Sequence, residues 1–126
     1  DHPKIKSLGF VQDELTLRIA YNAPDILLHP AQVDNLPNTV AESMSCGTPV
    51  LAFNTGGLPE MVFPDKSGWL VDEMNSNAMI VKLNSILQSK QAYELRQSTI
   101  ETARKLFIEE KVADDYLKSF KDSLTE

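Results

Sequence analysis

Short apolar segments alternate with longer amphipathic segments along most of this chain, and this alternation restricts its fold more than any other feature. The short segments are bounded by turn-forming residues, whereas the longer ones repeat apolar residues at helical spacing. The predicted strands are residues 5–10, 26–29, 49–53 and 69–71. The predicted helices are residues 14–21, 37–46 and 58–62, together with most of the last third of the chain. Strands that alternate with helices predict an α/β domain with a parallel sheet.

Composition and charge exclude several classes of function. The chain has 126 residues, a length that suits one domain. Its net charge is −6, from 12 basic and 18 acidic residues. This negative charge argues against nucleic acid as a partner. No apolar run approaches the ~20 residues that cross a bilayer, so no membrane span is expected. Cys46 is the only cysteine, which precludes an internal disulfide and is consistent with a reducing cytoplasm.

The helix predicted at residues 37–46 has two distinct faces. Val40 and Met44 fall together on a helical wheel and are expected in the core, while Asn38 and Glu42 fall on nearly the opposite side. Gly47 follows the helix and is expected to end it in a left-handed conformation. The helix therefore presents one carboxylate and one amide to solvent or to a ligand.

Ligands of open α/β sheets bind beyond the carboxyl ends of the strands, which here indicates the loop after Phe10 and the loops at residues 30–38 and 54–58. The start of a helix there favours phosphate. Glu42 would repel a phosphate but can accept hydrogen bonds from the two hydroxyls of a ribose. Asp34 is expected too far from Glu42 for a glycosidase pair. The two acids could instead hold opposite ends of an elongated ligand.

The residues from Asp34 to Val62 (DNLPNTVAESMSCGTPVLAFNTGGLPEMV), followed by SGWLV, closely resemble the donor-binding domain of glycosyltransferase family 4. The upstream residues 8–10, 15–21 and 25–30 also resemble this family, so the similarity covers about residues 5–90. The resemblance implies a Rossmann-like parallel sheet with flanking helices, the C-terminal half of a two-domain GT-B glycosyltransferase.

The resemblance also assigns roles to individual residues. It implies that Glu42 binds the ribose and that Asp34 contacts the donor sugar, although Asp replaces the usual Glu and Ala31 replaces a common Ser. The residues expected at the sugar are Asp34, Asn35 and Leu36, and those expected at the nucleotide are Glu42, Asn38, Phe10 and Val11. No metal, no cofactor and no catalytic residue is assigned.

The implied activity is transfer of a sugar, with retention of configuration, from a UDP- or GDP-linked donor to an acceptor hydroxyl during polysaccharide or glycoconjugate synthesis. The acceptor, a sugar or a lipid, would bind a second domain outside this sequence. The expected location is the cytoplasm, with that second domain as a possible site of peripheral membrane contact. In the family that this sequence resembles, an Arg and a Lys that bind the donor diphosphate lie in the segment before residue 1. No Lys or Arg lies between Arg18 and Lys66.

The 126 residues are therefore expected to be one nucleotide-sugar-binding domain that is incomplete on its N-terminal side and inactive alone. A final amphipathic helix is predicted at about residues 109–124, with Val112, Tyr116, Phe120 and Leu124 on its apolar face. This helix is expected to pack on the same domain or on the second one.

Two other functions stay open at the level of sequence. A nucleotide-sugar epimerase of the same architecture would need further acid and His residues in the site. The other is a non-catalytic nucleotide-binding module of the α/β class. In a purely structural interpretation, Glu42 is a solvated helix residue and Asp34 is a turn or capping acid.

Overall fold

A parallel three-stranded sheet forms the centre of the computed structural model, which describes residues 4–33 and 38–109. The strands are β1 (Leu27–His29), β2 (Val50–Phe53) and β3 (Gly68–Val71), and they lie side by side in that order. Leu28 pairs with Leu51, and Leu51 pairs with Trp69. The α/β class with a parallel sheet is confirmed.

Helices connect and cover these strands. They are α1 (Glu14–Asn22), α2 (Asn38–Ser45), α3 (Ser76–Leu87), α4 (Gln91–Glu94) and α5 (Arg96–Ala103), with a 3₁₀ turn at Leu58–Glu60 and a π-helical turn at Arg104–Glu109. Helix α1 begins where the Asp13 carboxylate accepts a hydrogen bond from the Thr16 N–H at 2.8 Å, and α3 begins at Asn75 in the same way. The helices predicted at residues 14–21 and 37–46 are thus confirmed within the described residues, and the one predicted at 58–62 is a shorter 3₁₀ turn.

The sheet separates two apolar clusters because side chains alternate along each strand. Val50 and Ala52 of β2 face α2 and the end of α5, where they meet Val40, Met44 and Ala103. Leu51 and Phe53 face the other way, toward α3 and α4. Trp69 belongs to this second cluster and is 3% exposed, as expected of a core residue. The result is three layers, with helices on both faces of the sheet.

Gly47 ends α2 as predicted. Its φ is +85°, and its N–H donates to the Met44 carbonyl at 2.9 Å. The next residue, Thr48, is buried and directs the chain into β2. Only a residue that tolerates a left-handed backbone allows a helix to stop and a strand to begin within so few positions.

The strand predicted at residues 5–10 is wrong: residues 5–12 form no helix or strand. Ile5 is 73% exposed and Phe10 is 87% exposed. Among the described residues β1 pairs only with β2, so these apolar residues have no strand partner to complete a ladder. The same free edge leaves Leu28 exposed, and β1 is therefore less buried than the sequence predicted.

The helix predicted at about residues 109–124 lies beyond the described residues, apart from Glu109 in the π-helical turn. Ala103 is buried within the cluster that contains Val40 and Met44, and Leu106 and Phe107 are half-buried against that cluster. Over residues 4–33 and 38–109, no helix has both the length and the apolar character that a membrane span requires.

Candidate nucleotide-binding site

Three loops leave the carboxyl edge of the sheet, and hydrogen bonds join them. The Thr55 hydroxyl after β2 donates to the Gln32 carbonyl after β1 at 3.1 Å, and the Gln32 amide donates to the Met74 carbonyl after β3 at 3.4 Å. Asn54 donates to the Asp72 carboxylate at 2.8 Å. Two of the three loops predicted to bind ligand, those after β1 and β2, are therefore in direct contact.

Helix α2 begins at this same edge because it follows β1 and runs back toward the start of β2. Val40 and Met44 are fully buried against the sheet, whereas Asn38 and Glu42 are exposed. The two faces predicted from the helical wheel are confirmed. The exposed face carries the carboxylate that was predicted to bind ribose.

Glu42 lies in a cavity of about 300 Å³ between α1 and α2. The lining residues are Glu14, Leu17, Arg18, Tyr21, Ala41, Glu42, Ser45 and Cys46. The cavity thus combines acidic, basic and phenolic groups with an apolar floor.

Phe10 and Val11 line a neighbouring cavity of about 500 Å³. The other lining residues are Leu8, Gly9, Leu17, Ala20, Tyr21, Pro24, Leu27, Thr39, Ser43 and Thr48. Thr39 comes from the first turn of α2, one helical turn from Glu42. The structure therefore places the predicted nucleobase residues and the predicted ribose acid in adjacent cavities on the same two helices.

Asp34, Asn35, Leu36 and Pro37 lie outside the described residues. The predicted contact of the first three with a donor sugar, and the predicted common cleft of Asp34 and Glu42, stay predictions. Asn38, the first residue of α2, is exposed at the carboxyl edge.

Arg18 is a cation of the Glu42 cavity that the sequence did not indicate as part of the site. Only the packing of α1 on α2 brings Arg18 beside Glu42. Its guanidinium donates to Glu14 at 2.6 Å, and the two side chains are 67% and 77% exposed. Because such an exposed pair contributes only about 0–1 kcal/mol, an anion in the cavity could compete for Arg18 at small cost.

Tyr21 is a second residue of this cavity that the sequence did not indicate. Burial raises the pKa of its hydroxyl, and hydrogen bonding to Glu42 and the charge of Glu42 raise it further, while Thr39 acts in the opposite direction. Tyr21 and Glu42 line the same cavity between α1 and α2. Little in the sequence indicated this proximity, because Tyr21 is one of three tyrosines and is brought near Glu42 only by tertiary packing.

Within the part of the chain that the structure describes, no three His, Cys, Asp or Glu side chains are grouped closely enough to hold a metal ion. His29 ends β1 and is half-buried. Cys46 is also half-buried rather than fully enclosed, and it lines the Glu42 cavity.

Comparison with known proteins gives one consistent result. Residues 2–106 match the family described as glycosyl transferases group 1. The putative colanic acid biosynthesis glycosyltransferase WcaL of Salmonella typhimurium is 33% identical over 93 residues, which are 74% of this chain and 21% of that protein. The chain therefore spans about a fifth of the length of this relative.

Two solved structures resemble the fold. Sucrose-phosphate synthase from Thermosynechococcus elongatus superimposes with a TM-score of 0.78 at 28% identity, over 90% of this chain and 29% of that chain. The C-terminal domain of the group 1 glycosyl transferase LpcC from Francisella tularensis gives a TM-score of 0.67 over 79% of this chain and 52% of its own. Its identity of 24% supports the fold alone.

Proposed function

Since this chain belongs to the glycosyl transferases group 1 family, we propose that it is the nucleotide-sugar-binding domain of a retaining glycosyltransferase. The observation that supports this most directly is the position of Glu42. Its carboxylate is exposed on α2 and lies beside the cavity of Phe10 and Val11. An acidic side chain next to an apolar cavity suits a ligand that carries vicinal hydroxyls and a flat base.

Each part of the nucleotide then has a binding partner. The Glu42 carboxylate accepts hydrogen bonds from the ribose hydroxyls, and Phe10 and Val11 lie against the base. The start of α2, with Asn38, offers N–H groups and the positive end of the helix dipole to the diphosphate. Asp34, Asn35 and Leu36 precede this helix and are proposed to contact the donor sugar.

The proposed reaction breaks the bond between the anomeric carbon of the sugar and the diphosphate oxygen. The acceptor oxygen forms the new bond on the same face, its proton passes to the departing diphosphate oxygen, and the nucleoside diphosphate leaves. Orientation of the donor and stabilisation of the leaving diphosphate carry the catalysis. No residue of this chain is assigned as a nucleophile or a general base.

The donor is proposed to be linked to UDP or GDP, and the acceptor is proposed to be a sugar or lipid held by a second domain. The glycosyltransferase name of the Salmonella typhimurium relative favours this function over an epimerase of the same architecture. Cytoplasmic synthesis of a polysaccharide or glycoconjugate is the cellular role that fits such a donor and acceptor.

An amide NMR titration of the chain with UDP, GDP and their sugars tests the proposal, with uridine, guanosine and NAD⁺ as comparison ligands. The diphosphates should shift amides of residues 10–11 and 38–42, and the nucleosides should shift a subset of them more weakly. Preferential binding of NAD⁺ would support a different nucleotide-binding function. Shifts confined to other surfaces would contradict the site.

A further inference from the structure

A cavity of about 510 Å³ lies at the amino edge of the sheet, opposite the edge that carries the candidate nucleotide site. It opens between the turn that precedes β3 and the end of α5 with the π-helical turn after it. Its charged lining residues are Lys66, Glu101, Arg104 and Lys105. None of its lining residues lines the two cavities described above, so it is a separate site.

Hydrogen bonds hold the two sides of this cavity together. The Ser98 hydroxyl of α5 donates to the Lys66 carbonyl at 2.5 Å. The Lys66 N–H donates to the Phe63 carbonyl at 3.0 Å, which closes the turn before β3. The backbone that carries the Lys66 side chain is thus fixed against α5, the helix that continues into Arg104 and Lys105.

The three cations of the cavity form no ion pair with any residue that the structure describes. Glu101, the acid that lines the cavity, instead accepts a hydrogen bond from the Gln97 amide at 3.3 Å. Glu101 and Lys105 are four residues apart, a spacing that favours an ion pair in an α-helix. The chain becomes π-helical at Arg104, however, and this changes the spacing of the side chains along it. The cations are therefore available to a ligand.

The cavity consequently carries an excess of positive charge. Three cations face one carboxylate here, although the whole chain has a net charge of −6. Like charges that share a cavity repel one another, and a bound anion relieves that repulsion. Because each cation adds to the same local potential, the cavity attracts anions even though the chain as a whole repels them.

We propose that this cavity binds the phosphate group of a phosphomonoester. Such a group carries a charge of about −1.5 to −2 at neutral pH and three acceptor oxygens, which match three cationic side chains. The Arg104 guanidinium can donate to two of these oxygens at once, and Lys66 and Lys105 supply ammonium groups for the third. A carboxylate, with two oxygens and a single charge, suits the cavity less well.

The cavity has room for more than the phosphate. Phe63 and Leu106 are half-buried and form its apolar part. Its volume of about 510 Å³ lies within the range of small-molecule sites. The ligand is therefore an organic phosphate, either a soluble metabolite or a lipid headgroup, whose carbon skeleton contacts these two side chains.

Amide NMR titration of the full chain with phenyl phosphate and with inorganic phosphate tests the soluble source, with sodium chloride at matched ionic strength as the comparison. Sedimentation with phosphatidylcholine vesicles, with and without phosphatidic acid, tests the lipid source. The variants Lys66→Gln, Arg104→Gln and Lys105→Gln each change an exposed side chain. Lys90→Gln is the matched control, because Lys90 is exposed at the start of α4 and lines none of the three cavities.

Phenyl phosphate should shift amides of residues 63–68 and 98–106 in a saturable way, and it should bind more tightly than inorganic phosphate. Arg104→Gln should weaken it about tenfold, as for a hydrogen bond to a charged group. Lys90→Gln should leave its affinity unchanged. If the ligand is a lipid headgroup, vesicle binding instead requires phosphatidic acid and is lost in Arg104→Gln.

Three results would overturn the proposal. The first is no binding in either arm, and the second is equal weakening by Lys90→Gln, which would reduce the effect to nonspecific attraction by surface cations. The third is a set of shifts confined to residues 10–11 and 38–42, which would place the phosphate in the nucleotide site. Because the two sites share no residue, each of these failures leaves the proposed nucleotide function untouched.

Discussion

The left-handed backbone of Gly47 restricts which residues can replace it. Its φ of +85° suits glycine, and a Cβ built at this position would lie 2.9 Å from Cδ1 of Ile100 on α5. Gly9 also has a positive φ, of +64°, but a Cβ there would meet nothing within 4 Å. A comparison of the two positions therefore separates the cost of backbone strain, which applies at both, from the cost of a steric clash, which applies only at Gly47.

Gly47→Ala should lower the free energy of unfolding by about 1 kcal/mol or more, because the left-handed backbone and the contact with Ile100 both oppose a side chain. Gly9→Ala should cost less, since it lacks the second effect and lies in an exposed loop. Urea denaturation of the two variants and the parent chain measures the difference. Equal losses would show that Ile100 moves aside without cost.

The titration of Tyr21 is expected to lower the free energy of unfolding at alkaline pH. Folding raises its pKa above the unfolded value of about 10, so the fold favours the neutral phenol. The stability from this effect is complete below about pH 10 and is lost as the pH rises through the folded pKa. Tyr21→Phe should therefore flatten the fall in unfolding free energy above pH 10, and Tyr93→Phe is the control. An unaltered slope in Tyr21→Phe would contradict this linkage.

At the level of helices and strands, the sequence pattern predicted the elements that are determined by local burial of apolar side chains and by turn formation. The helix at residues 37–46 and the strand at 49–53 were predictable because their apolar residues face the core of the same chain and Gly47 separates them. The segment predicted as a strand at residues 5–10 also carries apolar residues, but it has no neighbouring strand among the described residues. Strand formation depends on a partner distant in sequence, and a local pattern cannot reveal whether that partner is present.

The pairing of β2 with β3 depends on the absence of a side chain at Gly68. A Cβ there would lie 1.9 Å from the Val50 carbonyl oxygen of the adjacent strand. Gly68→Ala should thus force the strands apart and cost more than about 3 kcal/mol, the upper end for ordinary overpacking. Thermal unfolding followed by circular dichroism tests this. A loss smaller than that of Gly47→Ala would show that the sheet adjusts freely.

For the molecule as a whole, the site was less predictable than the fold. The exposure of Glu42 followed from a helical wheel, because Val40 and Met44 fix the buried face of α2. The proximity of Arg18 and Tyr21 to Glu42 did not, since it arises from the packing of α1 on α2. The contribution of Asp34, Asn35 and Leu36 is untested, because these residues lie outside the described part of the chain.

Charge across the whole chain predicts weak binding of the donor. No Lys or Arg lies between Arg18 and Lys66, and a helix N-terminus contributes only about 0.3–1 kcal/mol per charge at an exposed site. The 126-residue chain should therefore bind nucleotide sugars weakly and show no glycosyl transfer. Calorimetric titration and a transfer assay with labelled donors check this. Tight binding would mean that Arg18 and backbone amides hold the diphosphate without other cations.

The most direct test of the central claim compares Glu42→Ala with Glu94→Ala in ligand-detected NMR with UDP and GDP. Glu94 is an exposed acid on α4 that lines neither cavity, so its replacement controls for the change in net charge. If Glu42 accepts the ribose hydroxyls, Glu42→Ala should weaken the preferred nucleotide at least about tenfold, as for a hydrogen bond to a charged group, while Glu94→Ala leaves it unchanged. Equal affinity in both variants would contradict the assignment of this chain's nucleotide site.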